Sequence, residues 1–226
     1  MLTETTRETQ YQMCLEKVEN KGLTSLGLMT NQVWDDDPRR LVFVLARYKF
    51  VSKMLAGKKN VLEIGCADAF GTRIVLQEVD KLTAIDFDPV FVRDAQERMS
   101  SDWPFEVRVH DMLGGPVAPK NYDAAYCCDV IEHIEVANEQ RFVGNIAKSL
   151  TPQGVAIVGS PSIHSQTWAS PQSKAGHVNC KDAAGLKRLM EQFFHNVFIF
   201  SMNDEVVHTG FTPMAHYLFA LCAGVK

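Results

Sequence analysis

A short apolar run, Val61 to Ile64, stops at Gly65 and gives way to the small residues Cys66-Ala67-Asp68-Ala69 before a helical pattern opens at Gly71. That order predicts a strand, a tight turn and a helix N-terminus. Small residues let a backbone approach a ligand closely, and the start of a helix offers N–H groups without intrahelical partners. The unit then repeats. Strands are expected at 61–65, 82–86, 105–110, 122–128 and 155–158, and helices at 71–79, 89–99 and 138–150, with Pro152-Gln153-Gly154 as a turn. Strands alternating with helices of this length build a parallel sheet covered on both faces. The end breaks the rhythm. A helix carrying Leu186, Leu189, Met190 and Phe193, with Asn179 as its cap and Asp182 as a capping-box acid, precedes strands at 197–202 and 216–223. No helix fits in the segment 203–214 between them, so those two strands are expected to be antiparallel neighbours.

The N-terminal quarter reads as helical. Residues 5–20 place Tyr11, Leu15 and Val18 on one face, and Gly22 stops them. Asp37-Pro38 reads as a cap and first helical residue, and Leu41, Val44, Leu45, Tyr48, Val51 and Leu55 recur at helical spacing up to Gly57. Between them, residues 26–37 look irregular. Their Met29, Trp34 and three consecutive acids either cover a ligand or form a solvated connection. With 226 residues, 46% of them hydrophobic, the chain can bury one sizeable core. We expect one domain over 1–226, with a helical cap at 1–57 and a sheet core at 58–226.

Charge narrows the partners. The net charge is −4 and the isoelectric point about 6.0, which gives no basic footprint for nucleic acid or a membrane surface. The N-terminus carries acids and no apolar core, unlike a signal peptide, and the longest apolar stretch, 217–225, is too short to span a bilayer. The six cysteines are scattered without CxxC spacing, which reads as buried free thiols in a cytoplasmic protein.

In a doubly wound sheet the ligand lies beyond the carboxyl ends of the strands. Gly65, Cys66 and Ala67 follow the first strand, with Glu63 one step inside it. Asp86 and Phe87 follow the second, Asp111 and Met112 the third, and Cys128, Asp129, Glu132 and His133 the fourth. An acid about 20 residues past the glycine turn can hold both hydroxyls of a ribose, and Asp86 has that spacing from Gly65. Phe87 can lie against an adenine face, and Asp111 can accept from the adenine amino group.

These stretches, Val61-Leu62-Glu63-Ile64-Gly65-Cys66, Ala84-Ile85-Asp86, His110-Asp111-Met112 and Tyr122-Asp123 through Asp129-Val130-Ile131-Glu132-His133, resemble the class I S-adenosylmethionine-dependent methyltransferases. The resemblance covers roughly residues 40–223 and implies a Rossmann-like α/β/α sandwich around a seven-stranded sheet, mostly parallel with an antiparallel C-terminal strand. It implies S-adenosyl-L-methionine as cofactor. Glu63 would orient the first loop and the amino end of the methionine moiety. Gly65, Cys66 and Ala67 would lie beside the cofactor, and Cys128 would line its methionine portion. Asp86 would hold the ribose, Phe87 the adenine face, and Asp111 with the Met112 amide the adenine edge. Arg47, in an Arg-Tyr pair with Tyr48, is placed to reach the cofactor carboxylate. The family often has glycine where this chain has Ala67 and Ala69, and alanine does not easily adopt positive φ.

Methyl transfer to a hydroxyl needs alignment, dehydration and a base. Histidine is the natural base near neutral pH. His133 and His177 are the expected catalytic pair. His164 and His208 fall in long loops, and His110, His195 and His216 at strand ends are expected to be structural. The pocket walls are expected at 20–37, 160–180 and 203–214. The reading is a small-molecule methyltransferase acting on a hydroxyl, or second on an amine, of a sugar or other metabolite, with no metal. Two alternatives stand beside it. Asp129, Glu132 and His133 resemble the divalent-metal ligands of the ubiquinone-biosynthesis O-methyltransferases and the small-RNA 2′-O-methyltransferases, with His177 as a fourth ligand and aspartate in place of the usual first glutamate. The other is a non-catalytic scaffold that has kept the cofactor fold.

Overall fold

The computed structural model describes residues 4–226, so the first three residues of the acidic N-terminus lie outside it. Three helices come first: α1 (Gln12–Lys21), α2 (Leu28–Asp36) and α3 (Arg39–Met54). The alternation follows as β1 (Val61–Ile64), α4 (Thr72–Leu76), β2 (Leu82–Asp86), α5 (Pro89–Glu97), β3 (Glu106–Val109), β4 (Tyr122–Cys128), α6 (Glu139–Ser149) and β5 (Leu150–Pro161). The chain closes with α7 (Pro171–Gly176), α8 (Ala183–Met190), β6 (Phe194–Asn203), β7 (Val206–His208) and β8 (Tyr217–Val225).

Among the described residues these strands form one sheet of eight in the order β3-β2-β1-β4-β5-β8-β6-β7. β1 to β5 are parallel neighbours. β8 inserts antiparallel between β5 and β6, as the missing crossover helix requires. The order reverses at β1 and β4, whose carboxyl ends therefore open a crevice. Buried residues fill both faces of the sheet. Leu62, Ile85, Ile131, Phe142 and Phe194 belong to one cluster, and Val61, Ala84, Tyr126 and Phe219 to the other. Neighbours such as Val61 and Leu62 go to opposite clusters because side chains alternate along a strand.

Several expectations are corrected. The sheet has eight strands rather than seven, because β7 folds back on β6 through a turn with Asp204 at φ 50°. Residues 28–36 are helical, with Thr30 and Val33 buried and Trp34, Asp35 and Asp36 exposed. β5 begins at Leu150, and Pro152 to Gly154 lie inside it in an irregularity, since Tyr122 pairs with Leu150 but Ala124 with Val155. Asp182, not Asn179, caps α8, its Oδ1 accepting from Gly185 N at 2.6 Å. All six cysteines are free, with Cys14 exposed and Cys128 and Cys180 half-buried rather than all six in the core. No described helix is long and apolar enough to cross a membrane.

The first loop sets a stability test. Gly65 holds φ 71°, and a Cβ there would collide with the Val130 side chain. Gly65→Ala should therefore lose at least about 2 kcal/mol, from left-handed strain and overpacking together. Ala67 already sits at φ 46°. Ala67→Gly should be neutral or stabilising by up to about 1 kcal/mol, because strain relief outweighs the added freedom of the unfolded chain. Urea unfolding midpoints at unchanged slope check both.

Candidate active site

The first loop is built by the end of β2. Gly65 N and Cys66 N both donate to the Ile85 carbonyl, at 2.8 and 3.1 Å. Ala67 N donates to Asp86 Oδ2 at 2.8 Å, and Asp88 N donates to Asp86 Oδ1 at 2.9 Å. Ala67 and Ala69 take φ values of 46° and 55°, so this loop adopts with alanine the backbone that glycine adopts freely. Asp68, which neither spacing nor periodicity singles out, locks it from the other side. Its buried carboxylate accepts from Thr30 N at 2.7 Å, Thr30 Oγ1 at 3.2 Å and Phe70 N at 3.2 Å. Its carbonyl accepts from Arg98, which is itself paired with Asp94. The first turn of α2 is thereby fastened onto the loop.

Beneath the loop lies Glu63, almost fully buried. Tyr48 Oη from α3 donates to its Oε1 at 2.9 Å, and Thr72 Oγ1 from α4 donates to its Oε2 at 2.6 Å. Burial pushes its carboxyl up to about 7, while these hydrogen bonds pull it down.

The crevice at the switch point is a cavity of about 870 Å³, lined by α2, α3, the first loop, the turn after β4 and the segment after β5. Its size is at the upper end of small-molecule pockets, roughly 300–1,000 Å³. After β4 the chain bends at Asp129, φ 60°. Arg47 lies across this bend. Its guanidinium donates through one nitrogen to both Asp129 oxygens, at 2.8 and 2.6 Å, and stacks 4.0 Å over the Tyr217 ring. Arg47 thus lines the cavity paired with Asp129.

The next turn holds Glu132 and His133. The Glu132 carbonyl accepts from Val178 N and Asn179 N, at 2.8 and 3.0 Å, which brings the loop of His177 against this turn. His133 Nδ1 donates to the Gly176 carbonyl at 2.9 Å, and His177 Nδ1 meets Gln166 Oε1 at 2.8 Å. Gln166 Nε2 donates to the Ser162 carbonyl at 3.2 Å, so its oxygen faces His177. Both imidazoles therefore carry their proton on Nδ1 and their lone pair on Nε2 when neutral. Their rings are 5.2 Å apart, edge to face. Burial, then the neighbouring His133, lowers the His177 pKa, against an opposing pull from Asp129. Glu132 has no exposed surface, and neither of its carboxyl oxygens has a hydrogen-bond partner among the described residues. Burial and the Asp129 charge push its pKa well up. Ligand atoms of Glu132, His133 and His177 all lie within 4.8 Å of one another. Asp129, paired with Arg47, is not in that cluster.

The cavity thus gathers Arg47, Gly65, Cys66, Ala67, Cys128, His133 and His177, with Glu63 under its floor. Four expected cofactor residues are outside its lining, at or just after the ends of β2 and β3. Asp86 is 6% exposed and can accept one more donor on each oxygen. Phe87 is 72% exposed. Asp111 turns its Oδ1 back to Leu113 N at 2.8 Å. The Met112 side chain is in the core, and its amide donates to no described residue. The segment 203–214 contributes nothing to the wall; His216 and Tyr217, just beyond it, do. His216 is thus a wall residue rather than the structural one expected. Like Asp68, Gln166 and His216 carry no mark in spacing or periodicity.

Residues 61–154 match the family model described as a methyltransferase domain. Among curated proteins, the chain is 25% identical over 140 residues to the mitochondrial ubiquinone biosynthesis O-methyltransferase of Schizosaccharomyces pombe, covering 57% of this chain and 50% of the relative. It is 22% identical over 156 residues to the ubiquinone biosynthesis O-methyltransferase of Rickettsia akari, covering 65% of this chain and 61% of the relative. The chain thus spans half the length of the first of these relatives and less than two thirds of the second. Among solved structures, the N-methyltransferase NodS of Bradyrhizobium japonicum in complex with S-adenosyl-L-homocysteine superposes with a TM-score of 0.62 at 22% identity, over 96% of this chain and 99% of that one. An S-adenosylmethionine-dependent methyltransferase of Clostridium acetobutylicum gives 0.68 at 10% identity, over 87% and 98%. At these identities the structures establish the fold.

Glu63 makes a pH test of the site's electrostatics. Its carboxyl loses its proton at about 7 in the fold but near 4.5 in an unfolded chain. Folding therefore takes up a proton between those values, and stability falls as pH rises from 4.5 to 7, by about 3 kcal/mol in total. Glu63→Gln keeps a group that hydrogen-bonds Tyr48 and Thr72 but has no such titration. The difference between variant and wild type should grow in the variant's favour across that window and flatten above it, as read by urea unfolding at a series of pH values.

Proposed function

We propose that this chain, a class I S-adenosylmethionine-dependent methyltransferase in its domain match and its fold, transfers a methyl group to a hydroxyl, or to an amine, of a small-molecule acceptor. The observation that carries this reading is that one cavity joins the first loop, Gly65 to Ala67, to the pair His133 and His177. The cofactor supplies an electrophilic methyl group on a sulfonium. The chain's own residues do the rest. The first loop and Cys128 hold the methionine end against the cavity. Asp86 receives the ribose hydroxyls, Phe87 covers the adenine, and Asp111 with the free Met112 amide meets its edge. The helices before residue 57 form a cap, and α2 excludes water by its attachment to Asp68. His177 Nε2 takes the acceptor proton, with its ring aimed by Gln166. Arg47 is kept for positioning: it fixes the bend at Asp129 from which Glu132 and His133 start.

A second reading is favoured by one observation, the orphaned Glu132 carboxyl. A buried carboxylate beside two imidazoles with fixed tautomers is a donor set that suits a divalent cation. Glu132, His133 and His177 would hold such an ion, which would polarise an acceptor oxygen and lower its pKa. Names of the relatives in ubiquinone biosynthesis support hydroxyl methylation in either case.

Calorimetric titration with S-adenosylhomocysteine tests the cofactor site. Wild type should bind, and Asp86→Ala, checked for folding by thermal melt, should weaken binding by about 10- to 100-fold, the worth of hydrogen bonds to a charged group. A folded wild type that does not bind overturns the reading. Turnover separates the two forms of it. His177→Ala should cut the rate by about 10²- to 10⁴-fold while leaving homocysteine-product affinity within about 2-fold. Chelation should leave the rate of a histidine-base enzyme unchanged. A rate that chelation abolishes and Mg²⁺, Mn²⁺ or Zn²⁺ restores establishes the metal form instead.

A further inference from the structure

Arg40 stands in the wall of the same cavity, half-buried in the first turn of α3. Its guanidinium makes no hydrogen bond and no ion pair with any described residue. The nearest acid in sequence, Asp37, feels the Arg40 charge but is hydrogen-bonded by Arg39, whose Nε and a terminal nitrogen meet its two oxygens, both at 2.9 Å. Two of the cavity's acids are likewise engaged elsewhere, and the third, Glu132, is fully buried in the turn beside His133, at the far end from Arg40. Asp129 belongs to Arg47. Asp68 accepts from Thr30 and Phe70. Arg40 is left in the cavity wall with five N–H donors and no hydrogen-bond acceptor among the described residues.

Position adds to this. Arg40 precedes Arg47 by seven residues, two helical turns, so both lie on one face of α3 about 10 Å apart along its axis. Phe43 and Val44, between them, also line the cavity. Going along α3 from Arg47, which abuts the turn of Glu132 and His133, a bound molecule would meet the histidine end, then an apolar stretch, then a free cation. A planar guanidinium is matched to carboxylate or phosphate oxygens.

We infer that Arg40 recognises an anionic group, a carboxylate or phosphate, on the methyl acceptor, so that the acceptor has an apolar body with its charge at one end and its methylated atom at the other. This rests on the methyl-transfer reading. The same chemistry has another source, the carboxylate of the cofactor, and the test separates them.

Calorimetry on the full chain saturated with S-adenosylhomocysteine, which prevents turnover, compares 3,4-dihydroxybenzoate with catechol as probes that differ by one carboxylate. Wild type is expected to bind the benzoate at least ten-fold more tightly. Arg40→Gln should erase that preference, Arg40→Lys should keep part of it, and catechol affinity should not move. S-adenosylhomocysteine itself should bind wild type and Arg40→Gln equally. The inference is overturned if folded wild type shows no preference for the benzoate or binds neither probe. It is overturned also if the preference survives in Arg40→Gln. A ten-fold loss of S-adenosylhomocysteine affinity in Arg40→Gln assigns the arginine to the cofactor carboxylate and overturns it as well. Failure of S-adenosylhomocysteine to bind wild type counts against methyl transfer instead, and the two probes are then titrated into the free protein, where the same preference and its loss in Arg40→Gln decide the role of Arg40.

Discussion

Everything around the cavity hangs on a carboxyl group that has no access to water. Glu63 sits on the central strand of the parallel part of the sheet, and its two oxygens are taken by Tyr48 and Thr72. One bond reaches α3 in the N-terminal cap and the other reaches the first residue of α4. A buried polar group is costly unless it is bonded, so each partner is held in place by what the carboxyl would lose without it. Tyr48 in turn closes against Gly71, where no side chain larger than hydrogen fits, and meets Tyr126 edge to face at 6.1 Å. One residue thus ties sheet, cap and loop into a single frame, and the first loop has its shape before any ligand arrives.

The second half of the site is assembled largely on backbone carbonyls. The Glu132 carbonyl collects Val178 and Asn179, Gly176 receives His133, and Asn179 reaches the Ile134 carbonyl at 3.0 Å and Glu139 at 2.9 Å. Residues more than 40 positions apart are fixed to within a hydrogen bond, and the two histidines come with their tautomers set. Such second-layer contacts orient a proton acceptor and a metal ligand equally well. That is why the same geometry supports both forms of the proposed reaction.

The sheet was legible because its signal is periodic. Alternating strands and helices from Val61 to Val158, and the absence of a helix between 203 and 214, fixed parallel and antiparallel neighbours without any knowledge of contacts. What escaped the sequence was everything decided by competition between partners. Nothing in the sequence pointed from Arg47 to Asp129, 82 residues away, whose two oxygens it meets. Residues 28–36 lack a strong apolar stripe, and their helix is set by Asp68 capturing its first turn. Asn179 has the chemistry of a cap and is spent as a buried clamp, leaving the capping to Asp182. Polar residues with several possible partners are where a linear reading runs out. The histidine pair was found in sequence only because both positions follow strands on the ligand side of a doubly wound sheet.

The departures from local rules are not scattered over the molecule. Of the five non-glycine residues at positive φ among the described residues, Ala67 and Asp129 line the cavity and Ala69 belongs to its first loop. The buried carboxyls Glu63 and Glu132 lie under it and in its wall. Each such feature costs on the order of 1–3 kcal/mol and persists only where surrounding bonds over-determine it. Asp86 and Asp68 do this for the alanines, and Arg47 with Tyr217, whose hydroxyl accepts from Asp129 N at 3.2 Å, does it for Asp129. A chain selected for stability alone would have relieved these positions with glycine or with apolar side chains. Their concentration at one crevice, at the strand ends where the sheet order reverses, is a physical reason independent of any relative to place the function there.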